Sequence, residues 1–232
     1  MKKIMQTISI ITLFVMMGCS TDNANNNANN NVNTTVTDID GNVYPTVVIG
    51  TQTWTQTNLN VAHYRNGDVI PQVTDQTQWN NLTTGAWCYY NNDPANGDVY
   101  GKLYNWYAVL DSRGLAPVEY HIPSDTEWTT LTNYLGGYQY AGGKMKETGI
   151  NHWTTPNTNA TNSSLFTGLP GGIRNMSGYY EIGNDGNWLS STIYQGNNGP
   201  TSVGRGLKYN YQSSWVSYLG EKAGFSIRCI KD

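Results

Sequence analysis

Apolar and polar residues alternate in short stretches along most of the chain, and only its beginning departs from that texture. Lys2 and Lys3 are followed by a mostly apolar run from Ile4 to Met17. A run of that length is too short to cross a hydrocarbon core of ~30 Å as a helix. A basic start ahead of it is the layout of an export signal. Residues 20–37 then read STDNANNNANNNVNTTVT, with no apolar side chain larger than Val. Such a segment cannot bury enough surface to offset the entropy of ordering it, which predicts a flexible tether. From Asp38 onward the pattern is that of a single folded domain, without a linker-like break or a repeat at fixed period. All eight Trp and all seventeen Tyr lie in this part.

Within the folded part, two β-branched runs around Gly50-Thr51, in Val43 to Thr55, predict a hairpin. Leu103, Trp106, Tyr107 and Leu110 recur at spacings of three and four and predict a helix over Tyr100 to Leu110. Ser124 followed by Glu127 is a capping box. It opens a second predicted helix, whose apolar stripe is Trp128, Leu131 and Leu135 and which Gly136-Gly137 ends. Beyond Leu165 short strands are divided by Gly, Asn and Ser. A hairpin turn is predicted at Ser177-Gly178, followed by strands over Arg205–Tyr211, Trp215–Leu219 and Phe225–Ile230. Two early helices, strands at both ends, a β-rich second half and long loops make an α+β fold.

Composition sharpens this picture. Charged residues are 12% of the chain, about half the ~25% of an average soluble protein. The polarity instead comes from neutral residues, among them 29 Asn and 25 Gly. A coiled coil, a long-helix bundle and a multi-span membrane protein are excluded. A net charge of −3 leaves no electrostatic footprint for nucleic acid.

Candidate chemistry is sparse. His63, His121 and His152 are far apart and form no H-x-x-x-H pair, so each reads as a structural or exposed histidine, with His121 ordering the loop before the capped helix. Gly142-Gly143-Lys144 lacks the rest of a phosphate loop, and no G-x-S-x-G occurs. Asp38-Ile39-Asp40-Gly41-Asn42 starts like a calcium loop, but Ile49 stands where its Glu would be. Asp93, Asp98 and Asp185 sit among Gly and Asn and read as turn residues. No cofactor and no metal site is expected. With Cys19 set aside, the count of two thiols permits one Cys88–Cys229 bridge, which an exported compartment favours; two buried free thiols are the alternative.

Aromatic side chains offer the candidate binding residues: Trp188, Tyr194, Tyr209, Tyr211, Trp215 and Tyr218. Period-two alternation would put Leu207, Tyr209 and Tyr211 on one strand face. Each ring has two readings, as core or as an exposed anchor whose polar tip stays in water.

Two resemblances add to this. Met16-Met17-Gly18-Cys19 resembles the lipobox of bacterial lipoproteins, with Met16 in place of the usual Leu. It implies cleavage after residue 18, lipidation of Cys19, and a membrane as partner through that lipid. An ordinary signal with a chance Cys is the alternative. The strings VVIGTQTW, NLN, WCYYNND, YGKLYNWYAV, HIPSDTEW, AGGKMKETG, FTGLPGGIR and GFSIRCIKD occur in this order. Together they resemble the Fibrobacter succinogenes major paralogous domain over 38–232. That resemblance implies a C-type-lectin-like fold related to formylglycine-generating enzymes, in secreted or lipid-anchored proteins. Ala116 stands where the family usually has Cys, and Tyr120 where it has Trp. The calcium ligands of sugar-binding C-type lectins are not carried over, since the corresponding stretch is Trp188-Leu189-Ser190. The expected order is therefore signal (1–18), lipidated Cys19 and tether (19–37), and domain (38–232). The expected function is non-catalytic capture of a glycan or protein at the cell envelope, at the outer membrane or cell surface. An enzyme on the formylglycine-generating fold and a purely structural envelope protein are the alternatives.

Overall fold

A computed structural model describes residues 34–196 and 199–232. The expected signal, Cys19 and the tether up to residue 33 lie outside the described residues. Strand β1 (Thr35–Thr37) pairs antiparallel with β2 (Val43–Ile49), so residues assigned to the tether by composition belong to the sheet. Between them Asp38 accepts hydrogen bonds from the backbone N–H groups of Asp40 and Asn42 and from the Tyr44 hydroxyl. The candidate calcium-loop start is thus a turn whose carboxylate serves the backbone. β2 returns through Gly50-Thr51 into β3 (Gln52–Thr55), as the hairpin signal predicts, with Ile49 opposite Gln52.

Short elements fill the next stretch: α1 (Gln76–Asn80), β4 (Trp87–Cys88), α2 (Pro94–Tyr100), β5 (Leu103–Tyr104), α3 (Trp106–Val109) and β6 (Tyr120–His121). The single helix predicted over Tyr100 to Leu110 is replaced by the end of α2, a strand and a one-turn helix. Gly101 closes α2 at φ +73, β5 pairs with β4, and the Asn105 side chain caps α3 by accepting from Ala108 N–H. Leu103 and Trp106 are both buried, but in different core clusters, so their helical spacing is fortuitous.

α4 (Asp125–Tyr134) forms as predicted, with both halves of the Ser124/Glu127 capping box made. Gly136 and Gly137 take positive φ, and the chain re-enters a helix at once, α5 (Tyr138–Met145). The second half contains β7 (Gly171–Asn175), β8 (Gly178–Ile182), β9 (Asp185–Gly196), β10 (Gly199–Lys208), β11 (Ser214–Leu219) and β12 (Ile230–Lys231). β7 and β8 are joined by the turn expected there. The strand expected over Arg205–Tyr211 ends at Lys208, and most of Phe225–Ile230 crosses the interior through isolated bridges. The fold is mixed α and β, strand-rich, with five short α-helices among the described residues. One sheet runs β1-β2-β3-β12-β6 and another β11-β10-β9.

Aromatic rings lock these layers. Trp54 of β3 lies 4.7 Å from Trp128 of α4, and Phe166 and Trp188 close the same cluster. Beside it the fully buried Arg228 donates to the carbonyls of Thr55, Phe166 and Thr167 and to Asn58 Oδ1. Lys146, equally buried, donates to the carbonyls of Thr158, Lys208 and Tyr211. Burial pulls its ammonium down to about 8. Arg174 lies 4.4 Å over the Trp79 ring and reaches the carbonyls of Val73 and Thr74. In all three the acceptors are backbone or amide oxygens, so one cation ties together loops far apart in sequence while meeting the requirement that buried polar groups be hydrogen-bonded.

Candidate binding surface

Cys88 and Cys229 are both free and buried, in separate core clusters. Of the two readings left by the cysteine count, the structure has the pair of free thiols. Burial pushes both thiols above their ordinary pKa, which keeps them protonated.

Each histidine meets a carboxylate: His63 with Asp40, His152 with Glu147, and His121 with both Asp232 and Glu127. Burial opposes charge on His121, but its hydrogen bonds to Asp232 and Glu127 leave the imidazole above its ordinary pKa. His121 thereby ties β6 to the cap of α4. Asp93 caps α2 by accepting from Ala95 N–H. Asp185, read as a turn residue, is instead buried at the start of β9. There burial raises its carboxyl to about 6, against the pull of Lys208 at 3.8 Å. Among the described residues no group of three His, Cys, Asp or Glu is placed to hold a metal ion. No described helix is long and apolar enough to cross a membrane.

The six candidate rings are divided among different environments. Trp188 is fully buried and donates from Nε1 to Asn58. It is core. Tyr209 and Tyr211 share no strand face with Leu207, because the chain leaves β10 at Lys208 and turns. Tyr209 is half-buried against the Trp54 cluster, whereas Tyr211 is exposed. Trp215 stands opposite Gly206 in the β10–β11 ladder, and its indole crosses the space a side chain would occupy: a Cβ at Gly206 would lie 2.2 Å from the ring. Period two then puts Trp215 and Ser217 on one face of β11, and Val216 and Tyr218 on the other.

Tyr194 and Tyr218 are brought together. Tyr194 on β9 is opposite Thr201, Tyr218 on β11 is opposite Val203, and their rings meet over β10 with centroids 4.7 Å apart. They are nevertheless 49% and 55% exposed. Val216 lies on the same face and is also exposed. A bulge in β9 at Ser190–Thr192, opposite Val203, separates this end of the sheet from the buried end. It is held by Ser191 N–H donating to Pro123 O and Asp125 N–H donating to Thr192 Oγ1. Below the pair, Arg205 reaches Asp125 and Thr129 of α4. A paired, half-exposed aromatic platform carried by a hydrogen-bonded sheet is suited to contact with a ligand.

Two features escaped the sequence. Tyr134, Tyr138 and Tyr140 around the α4–α5 corner are exposed, although the spacing Y-x-x-x-Y-x-Y was a usable signal. A cleft of about 270 Å³ opens between the β2 strand, the segment after β3 and the end of α2, lined by Asn42, Thr57, Asn60, Asp98 and Val99 among others. No local pattern connects those positions.

A comparison with curated proteins and one with solved structures found no match to the chain. The ordered motifs, by contrast, map onto the hairpin, the capped helix and the interior crossing of the last residues, the parts that frame this domain. The Fibrobacter succinogenes major domain model matches residues 47–231, and the chain belongs to that family.

Proposed function

We propose that the protein is a non-catalytic binding module, lipid-anchored at Cys19 and displayed at the cell envelope, which captures a glycan or protein through the Tyr194/Tyr218 platform. The observation that carries this reading is the aromatic pair itself, packed ring against ring at a tilt across β10 and still half open to solvent. Large exposed rings that are preorganised lose little entropy on binding, which is why they recur as anchors at recognition surfaces. The mixed fold, with short helices and a strand-rich second half, is in keeping with a C-type-lectin-like arrangement. The lipobox-like Met16-Met17-Gly18-Cys19 supports the anchor.

The test displays the full chain and its Tyr194→Ala and Tyr218→Ala variants on cells and probes them with a glycan array and with envelope protein extracts. Loss of capture by variants that still unfold cooperatively, with a fall in melting temperature of no more than a few degrees, supports the platform; capture that survives both substitutions overturns it. Fractionation of Cys19→Ser addresses the anchor separately. Release from the membrane fraction is expected, and unchanged fractionation without lipid on the N-terminal peptide would refute lipidation.

A further inference from the structure

The cleft beside β2 carries a donor and acceptor pattern that its surroundings fix. Lys102 has a buried side chain whose ammonium lies 4.6 Å over the Trp87 ring and bonds Asn60 twice, at the backbone carbonyl and at Oδ1 2.9 Å away. An ammonium only donates, so Oδ1 of Asn60 must face Lys102 and the amide NH₂ is the end left over. Asn42 is fixed in the opposite sense. Its Nδ2 donates to the Asp38 carboxylate at 2.8 Å and to Asn60 O, which leaves Oδ1 as a spare acceptor. The Tyr44 hydroxyl tightens the same frame by donating to Asp38 and accepting from Asn60 N–H. Neither spare amide atom has a partner among the described residues, and neither is sealed from solvent.

The other walls complete the pattern. Asp98 and Thr57 are exposed at the cleft, and their side chains make no hydrogen bond among the described residues. Val43 and Val99, both exposed, supply aliphatic surface. Gly101, at φ +73, lets the end of α2 close on the Asn58–Leu59 backbone: a Cβ there would lie 2.7 Å from Leu59 O. The result is a preformed concavity of about 270 Å³, just below the size range of drug-sized pockets. One wall donates, the facing groups accept, and the remainder is aliphatic.

We propose that this cleft, formed by Asn42, Asn60, Thr57 and Asp98, binds one neutral hexopyranose ring. Adjacent sugar hydroxyls each donate and accept, which matches one fixed amide donor set beside fixed acceptors. The aliphatic valines match the C–H surface of the ring. An anionic ligand is disfavoured because Asp98 is unpaired and the Lys102 charge is already engaged by Asn60. This site is distinct from the tyrosine platform and does not depend on it.

The test titrates isotope-labelled full chain with methyl glycosides of glucose, galactose and mannose, and with glucose 6-sulfate as the anionic control. Saturable shifts confined to the amides of Asn42, Asn60 and Gly97–Gly101, including the Asn60 side-chain NH₂, are expected with a neutral glycoside. Asp98→Ala removes a solvent-exposed group, so the fold should persist, and affinity should fall on the order of tenfold, as expected for a charged hydrogen bond. Tyr140→Ala, an exposed ring in neither site, should leave the titration unchanged. Absence of saturable shifts with all three glycosides, shifts centred on Tyr194 and Tyr218, equal binding by the sulfate, or an unaltered affinity in Asp98→Ala would each overturn the proposal.

Discussion

The two ends of the β9-β10-β11 sheet are made of the same strands and have opposite fates. On one side of the bulge at Ser190–Thr192, every residue from Asp185 to Ser190 is buried, and so are Gly204 to Leu207, which pair with Leu189 to Gly186. On the other side Ile193, Tyr194 and Tyr218 face solvent. The buried end packs on α4 and on the Trp54 cluster, while at the open end Tyr194 and Tyr218 pair with each other and stay half exposed. A bulge inserts residues without partners, bends the strand and re-aims the side chains beyond it. Here it takes β9 out of the core without ending the ladder, so a structural sheet becomes a presenting one within a few residues.

Substitutions on either side should separate the two ends. The largest effect is expected at Trp188→Ala, which empties the centre of the buried end and should cost on the order of 3–5 kcal/mol in chemical denaturation. A cost below about 1 kcal/mol would mean that the buried end is not a packed core. Next comes Gly206→Ala. Its Cβ would collide with Trp215, so overpacking of roughly 1–3 kcal/mol is expected, accompanied by a changed indole fluorescence.

Asp185 provides a pH-dependent contrast. Its folded carboxyl titrates at about 6 against an ordinary value of 3.8, mainly through burial. Between about pH 4 and 6 the folded state therefore keeps a proton that the unfolded chain has lost, and stability from this group falls as pH rises through that window. Asp185→Asn should be more stable than the parent near neutral pH, by roughly 1–2 kcal/mol, and equal to it below about pH 4. Parallel pH–stability curves would refute this. The smallest effects belong to the open end: Tyr194→Ala and Tyr218→Ala each forfeit little more than the ring pair, about 0.5–1.5 kcal/mol. A double-mutant cycle measures that coupling directly.

The parts read correctly from the sequence are those decided within a few residues. The Ser124/Glu127 box, the Gly50-Thr51 hairpin and the β7–β8 turn depend on neighbours along the chain, and all three formed. The failures came where distant partners decide. Spacings of three and four over Tyr100 to Leu110 are met equally by a strand followed by a one-turn helix, and only pairing of β5 with β4 selects the latter. Asp185 looks like a turn residue between Asn184 and Gly186, yet Lys208, twenty-odd residues on, draws it into a ladder. Trp188 and Tyr194 are alike as letters in one strand, and the bulge that separates them is stabilised by Pro123 and Asp125. The hexose-sized cleft gathers Asn42, Asn60 and Asp98 from three elements, and no period along the chain unites them.

The position of β12 bears on how the chain reaches its native state. Ile230 pairs with Trp54 on one side and with His121 on the other, so β3 and β6 have no ladder between them until β12 arrives. In order of synthesis it is the last of the described elements. The slot it fills therefore stays open while nearly all of the remaining domain is being made, and closing it joins Ile230 to Trp54, 176 positions apart. Such long-range closure makes folding slow relative to local helix and hairpin formation. During synthesis, therefore, the five-stranded sheet is completed only after this last described strand has emerged.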